Sequence, residues 1–321
     1  MIRALPRTRR SVVALVTLTL AACSSNEPSV APTTSIGTTS TSAAVTNTVA
    51  PSTTSTTLPI DESVQTLTAE LSTVEAGIRL PDVSAAELDA LGQRQQLAYR
   101  AVNRHPEWHT ELTSSVDPVA QVPLSFHLSA RQAQVDHAAG KAPSDPVAVL
   151  PAWTIVDPLP VDELLGYYRE AEAASGVPWQ YLAAIHFQET RMGRIVGVSS
   201  AGAVGPMQFL PSTWAACCEG DPTVARDAIM GAAHYLVLNG APGDMSAALN
   251  GYNPNAAYVG AATAYAMNMQ ADERAYLGYH GWQVFFGTGA GTVRLPVGYS
   301  QTAEIDAATY LRDHPEDLVA S

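Results

Sequence analysis

Between Val177 and Gly193 the sequence VPWQYLAAIHFQETRMG repeats its apolar residues at helical spacing, and one position of that stripe is a carboxylate. Leu182, Ile185, Glu189 and Met192 fall at i, i+3, i+7 and i+10, one face of an amphipathic helix. Pro178 suits its first turn and Gly193 its far end. An ionised carboxylate on such a face loses water, which favours the protonated form and raises its pKa. Two readings follow. In one, Glu189 is a buried structural group neutralised by His186, Arg191 or Arg194. In the other it is an acid that keeps its proton near neutral pH, as protonation of a poor leaving group requires.

The rest of the chain reads as mainly helical. Residues 60–150 form a helical support region, in which Val64, Leu67, Leu71 and Val74 make one stripe. Ser84 to Glu87 makes a capping box ahead of a second helix, and a third helix is expected from Phe126 to Ala139. The segment 151–277 carries further helices: Val161 to Ser175 closed by Gly176, the Glu189 helix, and a short one from Pro211 through Trp214. Two more are expected with Asp227 and Asp244 as N-caps, then a last helix with Tyr258, Ala262, Tyr265 and Met269 along one side. Between Gly197 and Gly205 lies a glycine-rich loop. After Gly278 the pattern alternates, and 282–286 with 293–297 predicts a β-hairpin within the C-terminal segment 278–321.

The N-terminal segment has no core-forming pattern. Arg3, Arg7, Arg9 and Arg10 precede a short apolar run ending Leu20-Ala21-Ala22-Cys23, which reads as an export signal over residues 1–22. The ending resembles a bacterial lipobox, which implies that Cys23 is lipid-modified and anchors the protein to the membrane; an ordinary signal peptide cut elsewhere is the alternative. The run is too short to span a bilayer as a helix. Residues 23–59, rich in Ser, Thr and Pro, read as a disordered tether.

The whole chain has a formal net charge of −13, and loss of the four arginines in residues 1–22 would take it to −17. A nucleic-acid partner needs a basic face and is excluded on that ground. Cys217 and Cys218 are adjacent, leaving open a vicinal disulfide or two free thiols. His105 and His109 are separated by Pro106, which spoils a helical metal pair, and no acidic loop has calcium-ligand spacing. No metal and no cofactor are expected.

Three ordered motifs carry a resemblance: Glu189-Thr190, then Gly205-Pro206-Met207-Gln208-Phe209-Leu210-Pro211-Ser212-Thr213-Trp214, then Ala248-Leu249-Asn250-Gly251-Tyr252-Asn253. Over roughly residues 155–275 they resemble the lytic transglycosylases of bacterial cell walls, with their goose-type-lysozyme-like, mainly α (α+β) fold. The flanks resemble those of actinobacterial lipoprotein members. The resemblance implies cleavage of the β-1,4 bond between N-acetylmuramic acid and N-acetylglucosamine in peptidoglycan, outside the cytoplasm. It implies that Glu189 is the sole catalytic acid and that Gly205, Met207 and Gln208 line the sugar cleft. Thr190 stands where the family commonly has Ser. Tyr252 and Asn253 match a Tyr-Asn pair facing the acid, where a phenol hydroxyl can hold the carboxyl in one rotamer. Tyr265 is a further candidate for substrate contact, its alternative being core packing; Phe209, Leu210 and Trp214 are read as core.

A glycosidase that works with two carboxylates needs them about 5–9.5 Å apart. Asp227 and Asp244 are better read as helix caps, Asp221 as a turn residue, and Glu219 has no motif around it. One working carboxyl therefore fits best, with a 1,6-anhydro product, as the resemblance implies. The alternatives are a hydrolytic muramidase using an activated water on the same bond, and a non-catalytic peptidoglycan-binding lipoprotein. Protein partners, and the choice between chain ends and interiors, are not encoded legibly.

Overall fold

The computed structural model describes residues 62–142 and 145–320. The export signal, Cys23 and the whole of the tether lie outside the described residues. In chain order the helices are α1 Val64–Ile78, α2 Ala85–Arg104, α3 His109–Ser115, α4 Pro118–Ala138, α5 Val161–Ser175 and α6 Trp179–Thr190. They continue with α7 Pro211–Cys217, α8 Ala225–Leu238, α9 Met245–Tyr252, α10 Ala256–Ala271, α11 Ala275–His280 and α12 Ala307–Asp313. The strands are short: β1 Val149–Leu150, β2 Thr154–Ile155, β3 Ile195–Val196, β4 Val284–Thr288, β5 Gly291–Leu295, β6 Ile305–Asp306 and β7 Leu318–Ala320. The fold is mainly helical with a C-terminal hairpin, consistent with the lysozyme-like class expected.

Local chemistry explains most element ends. Ser84 and Glu87 form the capping box that starts α2. The Asp244 carboxylate accepts the Ala247 backbone N–H at 2.9 Å to start α9, and Asn255 accepts from Ala257 and Tyr258 to start α10. Gly176 ends α5 in the left-handed conformation, with φ 75°.

Four expectations differ from the structure. Helix α4 begins at Pro118 rather than near Phe126, because Pro118 fits the first helical position and Pro123 is tolerated inside the helix. Helix α6 ends at Thr190; Arg191, Met192 and Gly193 all have positive φ, so Met192 is buried from a turn and not from the helix. Asp227 is not an N-cap, since α8 starts two residues before it, and its carboxylate instead accepts the Asp221 backbone N–H at 3.0 Å. The hairpin turn is tighter than strands ending at 286 and restarting at 293 would make it: Thr288 pairs with Gly291 across two residues, and β7 adds a third strand to β5. Cys217 and Cys218 are joined as a vicinal disulfide.

Two apolar clusters organise the chain. The larger gathers the helices, with α6 inside it: Leu182, Ala183, Ala184, Ile185 and Phe187 are fully buried. Helix α10 packs along both α4 and α6, and Gly260 permits its close approach to α4, since a Cβ there would lie 2.5 Å from that of Ala133. The smaller cluster gathers the strands around Leu150, Trp153, Ile155, Val284, Val293, Leu295 and Tyr310. Pairing of β2 with β3 joins the chain just past α6 to this second cluster.

Candidate active site

Glu189 lies one residue from the C-terminal end of α6 and is 4% exposed. Burial pushes its carboxyl up to about 8. The opposing influence is the Tyr258 hydroxyl, which bears on the carboxyl and favours its charged form. That hydroxyl falls short of a well-formed hydrogen bond, so burial prevails.

The structural alternative for Glu189 fails on each named partner. The His186 Nδ1 lies 2.7 Å from the Tyr168 hydroxyl, and its Nε2 is buried without a partner. Arg191 donates to the Phe187 carbonyl at 2.7 Å and stacks over the Phe187 ring. Arg194 reaches Asp89 and the His280 carbonyl. Glu75 shows what a neutralised buried carboxylate looks like in the same chain. It is fully buried and receives Arg79 at 2.6 Å, the Tyr99 hydroxyl at 2.6 Å and Gln95 at 2.9 Å. Glu189 has no comparable set, and among the described residues it forms no ion pair.

The loop 204–209 is built as a rigid platform beside the acid. Val204 and Phe209 exchange both backbone hydrogen bonds, at 2.9 and 3.0 Å, closing the four residues between them. Inside, the Gln208 backbone N–H and its Nε2 both donate to the Gly205 carbonyl, at 3.0 and 2.9 Å. Gln208 itself sits at φ 50°, held there by those contacts. Gly205, at φ 75°, permits the passage of Pro222, whose carbonyl oxygen would lie 1.8 Å from any Cβ. Two side chains latch this loop from outside. The Thr190 hydroxyl donates to the Pro206 carbonyl at 2.7 Å while accepting the Gly193 backbone N–H at 3.0 Å. The Tyr252 hydroxyl donates to the Met207 carbonyl at 2.6 Å.

These contacts reassign two of the residues expected to touch substrate. The Tyr252 proton goes to the Met207 carbonyl and not to the Glu189 carboxyl; burial, and after it the charge of Glu189, holds its phenol well above the usual range. Thr190 is fully buried, and its hydroxyl is already used as donor and acceptor within the protein. Met207 is also fully buried. Asn253 ends α9 and keeps a buried Nδ2 without a partner. Tyr265 packs edge-on against Phe187 and Tyr279, with ring centres 5.0 and 5.4 Å apart, in the aromatic core.

Tyr258 is the group that the motifs did not single out. In the sequence it is one aromatic in the stripe of α10, indistinguishable from core. Burial and the nearby Glu189 raise its phenol well above the usual range, so it stays protonated and available as a donor. A cavity of about 530 Å³ abuts the platform, with Gly205, Pro206 and His186 in its wall. Chemically, the arrangement offers one protonated carboxyl, one phenol donor and a fixed loop.

No protein-family model and no solved structure matches the chain. A stretch of 81 residues, 25% of the chain, is 35% identical to the membrane-bound lytic murein transglycosylase F of Thiobacillus denitrificans. That stretch covers 17% of the relative's own length, so the likeness is to a segment of it.

Proposed function

We propose that this protein is a peptidoglycan lytic transglycosylase that cleaves the bond between N-acetylmuramic acid and N-acetylglucosamine with Glu189 as acid and then base. The observation that carries the reading is the isolation of Glu189: a buried carboxyl with its pKa raised to about 8 and no cation beside it. A carboxyl in that state holds its proton at neutral pH and can still give it up in the reaction. The segment likeness to a murein transglycosylase supports the same substrate class.

In this mechanism Glu189 gives its proton to the glycosidic oxygen as the bond to C1 breaks, releasing the 4-hydroxyl of N-acetylglucosamine. The acetamido oxygen of muramic acid supports the oxocarbenium-like C1. The Glu189 carboxylate then takes the proton of the C6 hydroxyl of the same sugar while O6 bonds to C1. Glu189 is protonated again, the product carries a 1,6-anhydro end, and no water is consumed. Tyr258 stabilises the carboxylate that exists between the two steps. Thr190 and Tyr252 act on the platform, holding Gly205 to Gln208 in place to receive sugar. The export signal, the lipobox and the long tether support an extracytoplasmic enzyme held to the membrane through Cys23.

The test is digestion of purified peptidoglycan by the wild-type protein and by Glu189→Gln. Wild type is expected to release soluble fragments and the variant, folded by circular dichroism, to release none. Undiminished release by the variant would remove Glu189 from the mechanism.

A further inference from the structure

Among the described residues the arginines differ in how they are partnered. Arg79, Arg94, Arg169, Arg194, Arg226 and Arg294 each meet a carboxylate. Arg100 does not, although acidic residues outnumber basic ones by 30 to 17. Its guanidinium lies over the Phe285 ring at 4.5 Å and has no hydrogen-bond partner among the described residues. Burial, and the neighbouring charges of Arg104 and Arg191, lower its pKa to about 10. A half-buried guanidinium with cations for neighbours and no carboxylate beside it favours a bound anion.

That guanidinium lines a cavity of about 410 Å³ between α2, α4 and the β4–β5 hairpin. Arg104 and Arg131 also line it, with Asn103, Thr288 and Thr292, and no carboxylate is in its wall. Arg104 is partly neutralised by Glu62. Arg131 meets only the Gln134 amide, at a long 3.4 Å. Donors therefore converge from a helix pair and from a hairpin in an otherwise acidic molecule. Such a wall attracts an anion locally against the overall charge.

We propose that this cavity is a carboxylate-binding site for the peptide stems attached to the glycan strand. The naming of the ligand rests on the glycan-cleaving function above. Two observations favour a peptide over a lone phosphate. At about 410 Å³ the space has room for a chain segment and is far more than one small ion fills. Arg191, two residues past Glu189, is close enough to press on Arg100, which connects the cavity electrostatically to the end of the catalytic helix. A strand seated at Glu189 would have its acidic stems within the field of these arginines.

Isothermal titration calorimetry on the full-length protein tests this, with free stem tetrapeptide isolated from peptidoglycan as one probe and inorganic phosphate as the other. Tetrapeptide is expected to bind wild type and Glu189→Gln alike, and to bind Arg100→Gln and Arg131→Gln about tenfold more weakly. Arg100→Lys is expected to recover only part of the loss, because a lysine lacks the planar fork. Absence of tetrapeptide binding, phosphate binding of equal strength, or unchanged affinity in both glutamine variants would each overturn the proposal. Because binding is read without turnover, failure of glycan cleavage with retained binding would count against the catalytic reading alone.

Discussion

The Thr190 hydroxyl donates to the Pro206 carbonyl at 2.7 Å, which ties the residue next to the Glu189 carboxyl to the loop expected to receive the sugar. The same oxygen accepts the Gly193 backbone N–H at 3.0 Å, so one hydroxyl fixes both the end of α6 and the loop. Glu189 and the loop are thereby set relative to one another before substrate arrives, which is the condition for efficient positioning.

Thr190→Val keeps the shape and removes both hydrogen bonds. It leaves a partly buried carbonyl and a partly buried N–H without those partners, at up to about 1–3 kcal/mol each. The expected result is a lower melting temperature together with a kcat reduced about 10- to 100-fold, since small misplacements near the chemistry are that costly. Thr190→Ser keeps the hydroxyl and is expected to stay near wild type in both measurements.

Glu189 links activity and stability to pH with a definite sign. Its folded pKa of about 8 lies above the ordinary 4.5. The unfolded chain therefore releases this proton first. The stability that the protonated group contributes is full below about pH 4.5 and declines as pH rises toward 8. Glu189→Gln never ionises, so it is expected to be more stable than wild type at pH 8 by on the order of a few kcal/mol. At pH 4 the two should be nearly equal. Paired urea melts at the two pH values check this.

Tyr258→Phe removes the one group that pulls the Glu189 pKa down. The alkaline limb of the pH–rate profile, set by loss of the Glu189 proton, is expected near pH 8 in wild type and higher in the variant. The rate at the plateau is expected to fall about tenfold or more, because the intermediate carboxylate loses its donor. A plateau loss with no movement of the limb would place Tyr258 in the packing alone.

Gly205→Ala is expected to abolish stable folding of the loop. The residue is at φ 75°, and the Pro222 carbonyl blocks a Cβ at 1.8 Å, a backbone contact with no side chain to give way. A fall in melting temperature larger than that of Thr190→Val is the expected reading.

The sequence conveyed the helices whose ends carry local signals. Gly176, Ser84 with Glu87, and Asp244 act through their own backbone neighbourhood, and α5, α2 and α9 start or stop where those residues say. It conveyed Glu189 because a carboxylate among Leu182 and Ile185 breaks a periodic pattern. What it conveyed poorly depends on distant groups. Asp227 resembles a cap, but its carboxylate is taken by the Asp221 N–H in a preceding turn. Tyr252 carries a phenol that could serve the acid, and only the folded chain shows it bound to Met207. Tyr258 was hidden because an aromatic at helical spacing has the same pattern whether it faces a core or an acid. The arginine cavity joins residues from α2, α4 and the hairpin, nearly two hundred positions apart, and no local motif announces it.

In the proposed reaction a single carboxyl starts and completes the cleavage, with the sugar's own C6 hydroxyl in place of water. Mass spectrometry of the fragments released from purified peptidoglycan tests it directly. The expected products carry muramic acid ends lighter by one water than those of a hydrolytic muramidase, with no 18O incorporated when digestion is run in labelled water. Reducing muramic acid ends bearing the label would contradict it.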